Sequence, residues 1–173
     1  MFKPDSSESL FIPPGTDLNQ PDDRELKRFA TLPKEALKRR WNTPEGKAIL
    51  SKWKESKFDR DSLDSLVGRY YGHTDLRGIP LKGANLQRTD LSSIDFYASD
   101  LRDADLSYSN LSDSWLSESD IRGTRFDWAK MDGVLLDNVN FSNSTSFVGV
   151  NLNAINFTLA ALLQELAIEQ QSG

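Results

Sequence analysis

No cysteine occurs among the 173 residues, so neither a disulfide framework nor thiolate chemistry is open to this chain. Histidine occurs once, as His73, with no Gly-rich phosphate loop and no nucleophile motif to accompany it. A lone histidine beside Gly72, at the join of two regions, reads as a boundary residue. The chain is therefore read as a non-enzyme, with no catalytic, cofactor-binding or metal-binding residue and no cofactor. No apolar run is long enough to cross a bilayer. The N-terminus, Met-Phe-Lys-Pro-Asp-Ser-Ser-Glu, lacks the charged-then-apolar layout of a secretion signal. A cytoplasmic protein without membrane contact is the expectation.

What is present is a beat of five. A bulky apolar residue recurs at Leu76, Leu81, Leu86, Leu91, Phe96, Leu101, Leu106, Leu111, Leu116, Ile121, Phe126, Met131, Leu136 and Phe141. After a one-residue slip at Ser144 it resumes with Phe147, Leu152 and Phe157. Two residues before each stands a small or β-branched residue, such as Thr74, Ala84, Ala104, Ser114 and Val139. A period of five fits neither the 3.6 of a helix nor the 2 of a strand, so it marks an internal repeat.

The unit reads small, Asp/Asn, Leu/Phe, polar, variable. Thr74-Asp75-Leu76-Arg77-Gly78, Ala84-Asn85-Leu86-Gln87-Arg88 and Ala104-Asp105-Leu106-Ser107-Tyr108 show it well. It resembles the pentapeptide repeat family, whose pattern is A(D/N)LXX, over residues 74–159. The second position departs from that pattern at Pro80, Trp115, Arg125, Lys130, Leu135 and Ser146. The resemblance implies an all-β solenoid, a right-handed quadrilateral β-helix of about four coils. Four pentapeptides make one square coil, with the central and small positions inward and the other three outward. A narrow tube filled to interior density needs one large residue per side and a small partner beside it.

Solenoid ends need covers. Residues 1–20, rich in Pro, Ser and Asp, read as a disordered or extended tail with Phe11-Ile12 as a small apolar anchor. Residues 21–70 read as a small helical subdomain that plugs the first coil. Helix starts are expected at Pro21-Asp22-Asp23, at Pro33-Lys34-Glu35, at Thr43-Pro44-Glu45 and at Asp59 or Asp61. Residues 160–171 read as a C-terminal capping helix with Thr158 as N-cap. Leu159, Leu162, Leu163 and Leu166 share one face, and Ile168 adds apolar surface elsewhere. That helix either caps the end alone or also makes a homodimer through Leu162, Leu163, Leu166 and Ile168.

Charge is uneven. Residues 1–73 hold 14 Lys/Arg against 12 Asp/Glu, while residues 74–159 hold 7 against 12. The basic stretch Lys34, Lys38, Arg39, Arg40, Lys47, Lys52, Lys54 and Lys57 is interleaved with Glu35, Glu45 and Glu55, so it reads as a solvated helix surface and not as a nucleic-acid site. Asp127, Asp132 and Asp137 fall on three faces and cannot share an ion. Asp100 and Asp120 stack on one face beside Lys82, Arg102 and Arg122, which suits ion pairing.

With a coil of twenty residues, outward positions twenty apart lie above one another. On the first face the second position runs Asp75, Asp95, Trp115, Leu135, with Tyr97 nearby. On the third face the last position runs Arg88, Tyr108, Trp128. Contiguous apolar surface usually marks a contact. Either the chain's own N-terminal helices fold back over one of these patches, or the patches form a partner-binding face, or they are random surface variation; a buried contact of Trp115 and Leu135, internal or intermolecular, is the expectation. The resulting function is a protein-interaction or scaffold module, of a layout similar to proteins abundant in cyanobacteria. The alternative is a DNA mimic that binds DNA gyrase, as in one branch of the family this sequence resembles.

Overall fold

The computed structural model of the chain describes residues 9–19 and 28–155. Parallel bridges twenty residues apart climb through it in four ladders. One links Pro80, Asp100, Asp120 and Asn140, and a second links Asn85, Asp105, Arg125 and Ser146. A third links Asp90, Asn110 and Lys130, and the fourth links Asp75, Asp95, Trp115 and Leu135. Backbone N–H groups fill the gaps between levels, as from Leu106 to the Arg125 carbonyl (2.8 Å) and from Leu111 to that of Lys130 (2.7 Å). The chain is thus a solenoid whose coil returns every twenty residues, except that Arg125 meets Ser146 at twenty-one.

The reasons lie in the repeat. From Leu76 to Leu136 every central residue of the five-residue beat is buried. Each such burial contributes about 1.5–3 kcal/mol before ordering entropy is subtracted. Several of the small inward hydroxyl residues bond to the coil behind them, while Thr89 and Ser109 bond to carbonyls three residues back in their own coil. Ser114 donates to the Leu91 carbonyl (2.6 Å), Ser119 to Phe96 (2.6 Å) and Thr124 to Leu101 (2.7 Å). The Asp or Asn at the second position folds back on its own turn. Asp95 accepts the Tyr97 N–H (2.9 Å), Asp105 that of Ser107 (3.0 Å) and Asp90 that of Ser92 (3.1 Å). Side chains of this kind stabilise tight turns by that same bond.

Among the described residues, helical residues 28–30 and the helices α1 (Lys34–Arg40), α2 (Pro44–Glu55) and α3 (Arg60–Asp64) precede the solenoid. The Thr43 hydroxyl caps α2 by accepting the Gly46 N–H (3.1 Å), and Asp59 caps α3 by accepting that of Ser62 (2.9 Å). Trp41, Ile49, Trp53, Leu63 and Val67 form one continuous core with Leu76, Ile79 and Leu81, so the helices close the end of the tube.

Strand β1 (Asp17–Leu18) runs parallel to β2 (Arg69–Tyr70), β2 antiparallel to β3 (His73–Asp75), and β3 parallel to β4 (Ile94–Asp95). Residues 9–19 belong to the stretch read from the sequence as a disordered or extended tail. Phe11, Ile12 and Leu18 are buried, and the strand β1 is held by β2. These three apolar residues supply the burial that a Pro/Ser/Asp-rich composition hides. A second core joins Ile12, Leu18, Phe29, Leu32, Ala36 and Leu37, with Tyr70 and Tyr97 packed against it. The N-terminal region therefore plugs the tube end and also leans onto the first face.

The described chain ends on a short 3-10 turn, Leu152–Ala154, and Ile155. The expected C-terminal helix lies outside the described residues, including its dimer residues Leu162, Leu163, Leu166 and Ile168. The helix start at Pro21-Asp22-Asp23 does too.

Candidate interaction surface

At the join of α1 and the first face sits a buried cluster of charge. Arg40 grips Asp75 with both terminal nitrogens, Nη1 to Oδ2 at 2.8 Å and Nη2 to Oδ1 at 2.9 Å. Arg77 adds its Nε to Oδ1 at 2.8 Å. The spare donors go to backbone carbonyls: Arg40 to Leu10 (3.1 Å) and Arg77 (2.8 Å), and Arg77 to Phe29 (3.2 Å). Burial alone would raise the Asp75 carboxyl, but the two guanidinium groups override it and hold the group well below the usual range. This corrects the reading of the basic stretch as wholly solvated, because Arg40 is fully buried. Burying a guanidinium is costly unless a carboxylate and carbonyls meet its donors; here they meet both terminal nitrogens of Arg40 and leave Nε without a partner.

Beside this cluster opens a groove of about 290 Å³. Leu32 and Leu37 form one wall, and Tyr97, Trp115 and Leu135 form the other. Trp115 and Leu135 are stacked by their ladder, and both are half-buried. Arg77 and Asp95 line the groove between the walls. Asp95 is buried, with its Oδ2 3.9 Å from Arg77 Nε. Burial, reinforced by the nearby Asp75 charge, pushes its carboxyl up to about 7 against the pull of Arg77 and the Tyr97 N–H. At the rim Lys34 of α1 pairs with Glu118 and stands 6.0 Å from the Tyr97 ring centre. Among the described residues, Leu32 and, on α1, Leu37 stand beside Trp115 and Leu135 across this groove.

Tyr108 and Trp128 point outward on another face and are 55% and 57% exposed. Arg88 lies over the Tyr108 ring at 5.4 Å. All three have positive φ, near 60°, a conformation costly for bulky side chains. The Trp128 indole rests against Gly149, where an added Cβ would stand 2.4 Å from two ring atoms.

His73 packs on Trp115, with ring centres 3.8 Å apart. Its Nδ1 lies 2.9 Å from the Tyr71 carbonyl and its Nε2 2.9 Å from that of Asp113. The boundary residue of the sequence is thus a brace under the groove, and only the long-range partner, forty positions away, conceals that. The Asp–Arg stack on the next face forms bidentate pairs within each turn. Arg102 meets Asp100 at 2.8 and 2.7 Å, and Arg122 meets Asp120 at 2.9 and 2.6 Å. Among the described residues no cluster of His, Cys, Asp or Glu has metal-site geometry, and no helix is long and apolar enough to cross a membrane.

Comparison with protein families matches the pentapeptide repeats in eight copies, over residues 72–103, 84–123, 99–138 and 119–158. No curated protein matches the chain. Among solved structures, a pentapeptide repeat protein, Rfr23, from the cyanobacterium Cyanothece 51142 is 21% identical, with a TM-score of 0.42, over 46% of this chain and 57% of that one. HetL of Nostoc sp. strain PCC 7120, a pentapeptide repeat protein involved in heterocyst differentiation regulation, is 18% identical, with a TM-score of 0.28, over 44% of this chain and 37% of that one. QnrB1, a plasmid-mediated fluoroquinolone resistance protein, is 16% identical, with a TM-score of 0.21, over 57% of this chain and 85% of that one. The chain thus spans less than two thirds of the length of the first two.

Proposed function

Since the chain belongs to the pentapeptide repeat family, whose members are generally interaction or structural modules, we propose that it is a non-enzymatic scaffold that binds another protein through the groove on its first face. In this reading the fold is a right-handed quadrilateral β-helix of about four coils, placed in the cytoplasm, with residues 160–171 as a capping helix that also offers a dimer contact.

The observation that carries the reading is the break in the outward pattern. Trp115 and Leu135 occupy the ladder positions that hold Asp75 and Asp95 on the two preceding coils, and both line the groove. Large apolar residues gathered at a groove mark protein contacts. The test is affinity capture with the full chain against the Trp115→Ser/Leu135→Ser double variant, read by mass spectrometry. Loss of a specific partner supports the surface, and an unchanged partner set excludes it.

Mimicry of duplex DNA is the weaker reading. A mimic must offer dense, unbroken negative charge. On the Asp100–Asp120 face each carboxylate is bound by its own arginine, so that face presents paired charge.

A further inference from the structure

Resting on the reading that this face is the binding surface, we propose that the groove takes a basic side chain of the partner, a lysine or arginine flanked by apolar residues. Its charged head meets Asp95, and its methylene stem runs between Leu32, Trp115 and Leu135.

Asp95 is short of hydrogen-bond donors. Its Oδ1 accepts the Tyr97 N–H at 2.9 Å. Among the described residues its Oδ2 accepts no hydrogen bond. The nearest cation, Arg77 Nε, is 3.9 Å away and donates instead to Asp75 at 2.8 Å. A buried carboxylate short of donors is unfavourable, and a donor brought by a ligand relieves it. The side chain is only 3% exposed and lines the groove.

The walls favour a cation on a long stem over a compact neutral donor. Leucines match methylene groups, and aromatic faces attract positive charge. The chain already shows that pairing at the rim, where Lys34 stands over Tyr97. Residues 74–159 carry a net charge of −5, which steers a basic segment towards the solenoid. A volume of about 290 Å³ lies just below the range of about 300–1,000 Å³ typical of ligand sites, which suits one side chain and not a cofactor.

Ionisation ties this contact to pH. The charged and titratable groups around Asp95 are Asp75 and Arg77 from the coil before it, Arg40 from α1, and Tyr70 and Tyr97 beside the groove. A cation binds the ionised form of Asp95, so docking expels its proton and affinity rises as pH rises through the neutral range.

The probes are two peptides, acetyl-Ala-Leu-Arg-Leu-Ala-amide and its analogue with norleucine in place of arginine. Each is titrated into the full chain and followed by the indole N–H resonance of Trp115. The arginine peptide should bind about tenfold tighter at about pH 8, with the preference shrinking at about pH 6 and vanishing in Asp95→Asn. Equal affinities, or a preference that survives Asp95→Asn, would overturn the proposal. So would failure of both peptides at about 1 mM. The pH comparison uses the wild-type chain, so it decides even if Asp95→Asn does not fold. Loss of partner capture by Trp115→Ser/Leu135→Ser alongside equal peptide affinities would leave the surface standing and remove only the basic anchor.

Discussion

Arg40 and Asp75 face each other fully out of solvent, one from a helix and the other from the first strand of the solenoid, through two hydrogen bonds of 2.8 and 2.9 Å. They are thirty-five residues apart, and their contact fixes how α1 sits on the tube. It therefore also sets the width of the groove, because Leu37 lies on the same helix.

Breaking this pair on one side should be costly. Arg40→Met leaves Asp75 with Arg77 as its remaining cation, and the loss should approach about 3 kcal/mol. Chemical denaturation measures it, and a change near zero would show that the pair sets geometry without contributing stability.

Asp95 predicts a slope in stability against pH. Its folded value of about 7 lies above the unfolded value of about 3.9. Its contribution is fully present below the unfolded value and is lost as pH rises through about 7. Asp75 works the other way: its depressed carboxyl stabilises above the unfolded value and loses that as pH falls. Asp95→Asn should therefore flatten the decline from about pH 4 to about pH 7 in thermal melts and leave the acid limb in place. A parallel decline in both proteins would remove Asp95 as its source.

The inward register is tested at Leu111, which is wholly buried. Leu111→Ala should cost about 2–5 kcal/mol, and Leu111→Asp should abolish cooperative folding. A stable Leu111→Asp protein would refute the register.

Gly149 has a φ of +73° and lies under the Trp128 ring. Gly149→Ala should destabilise through both backbone strain, about 1–3 kcal/mol, and the clash with the indole. Trp128→Ala in the same chain should recover the steric part alone. Strict additivity in that double-mutant cycle would mean the ring does not rest on the backbone.

Loss of the α2 cap in Thr43→Ala should cost about 1 kcal/mol, read from the shift in denaturation midpoint at unchanged slope.

The solenoid was legible because its chemistry repeats: one Leu or Phe every five residues states which side is inside, and the Thr43-Pro44 and Asp59 starts state where helices begin. Trp115 and Leu135 stood out because they break a polar column. Arg40, Asp75 and Asp95 did not. Arg40 sits in a basic run, and the two aspartates occupy a position where Asp is ordinary. Their burial depends on which remote segment packs above them, and neither period nor propensity carries that. Leu32 and Leu37 were likewise readable as apolar but not as the second wall of a groove.

The return at Ser146, one residue late, has a consequence of its own. In a flat strand, one extra residue turns every later side chain to the opposite side. Here the error is absorbed at a single corner, between Ser142 and Ser146, and Phe147 is back inside. The winding thus heals its phase locally. Length can drift at one corner without scrambling the faces beyond it, so each column of outward residues can change while the others stay in place.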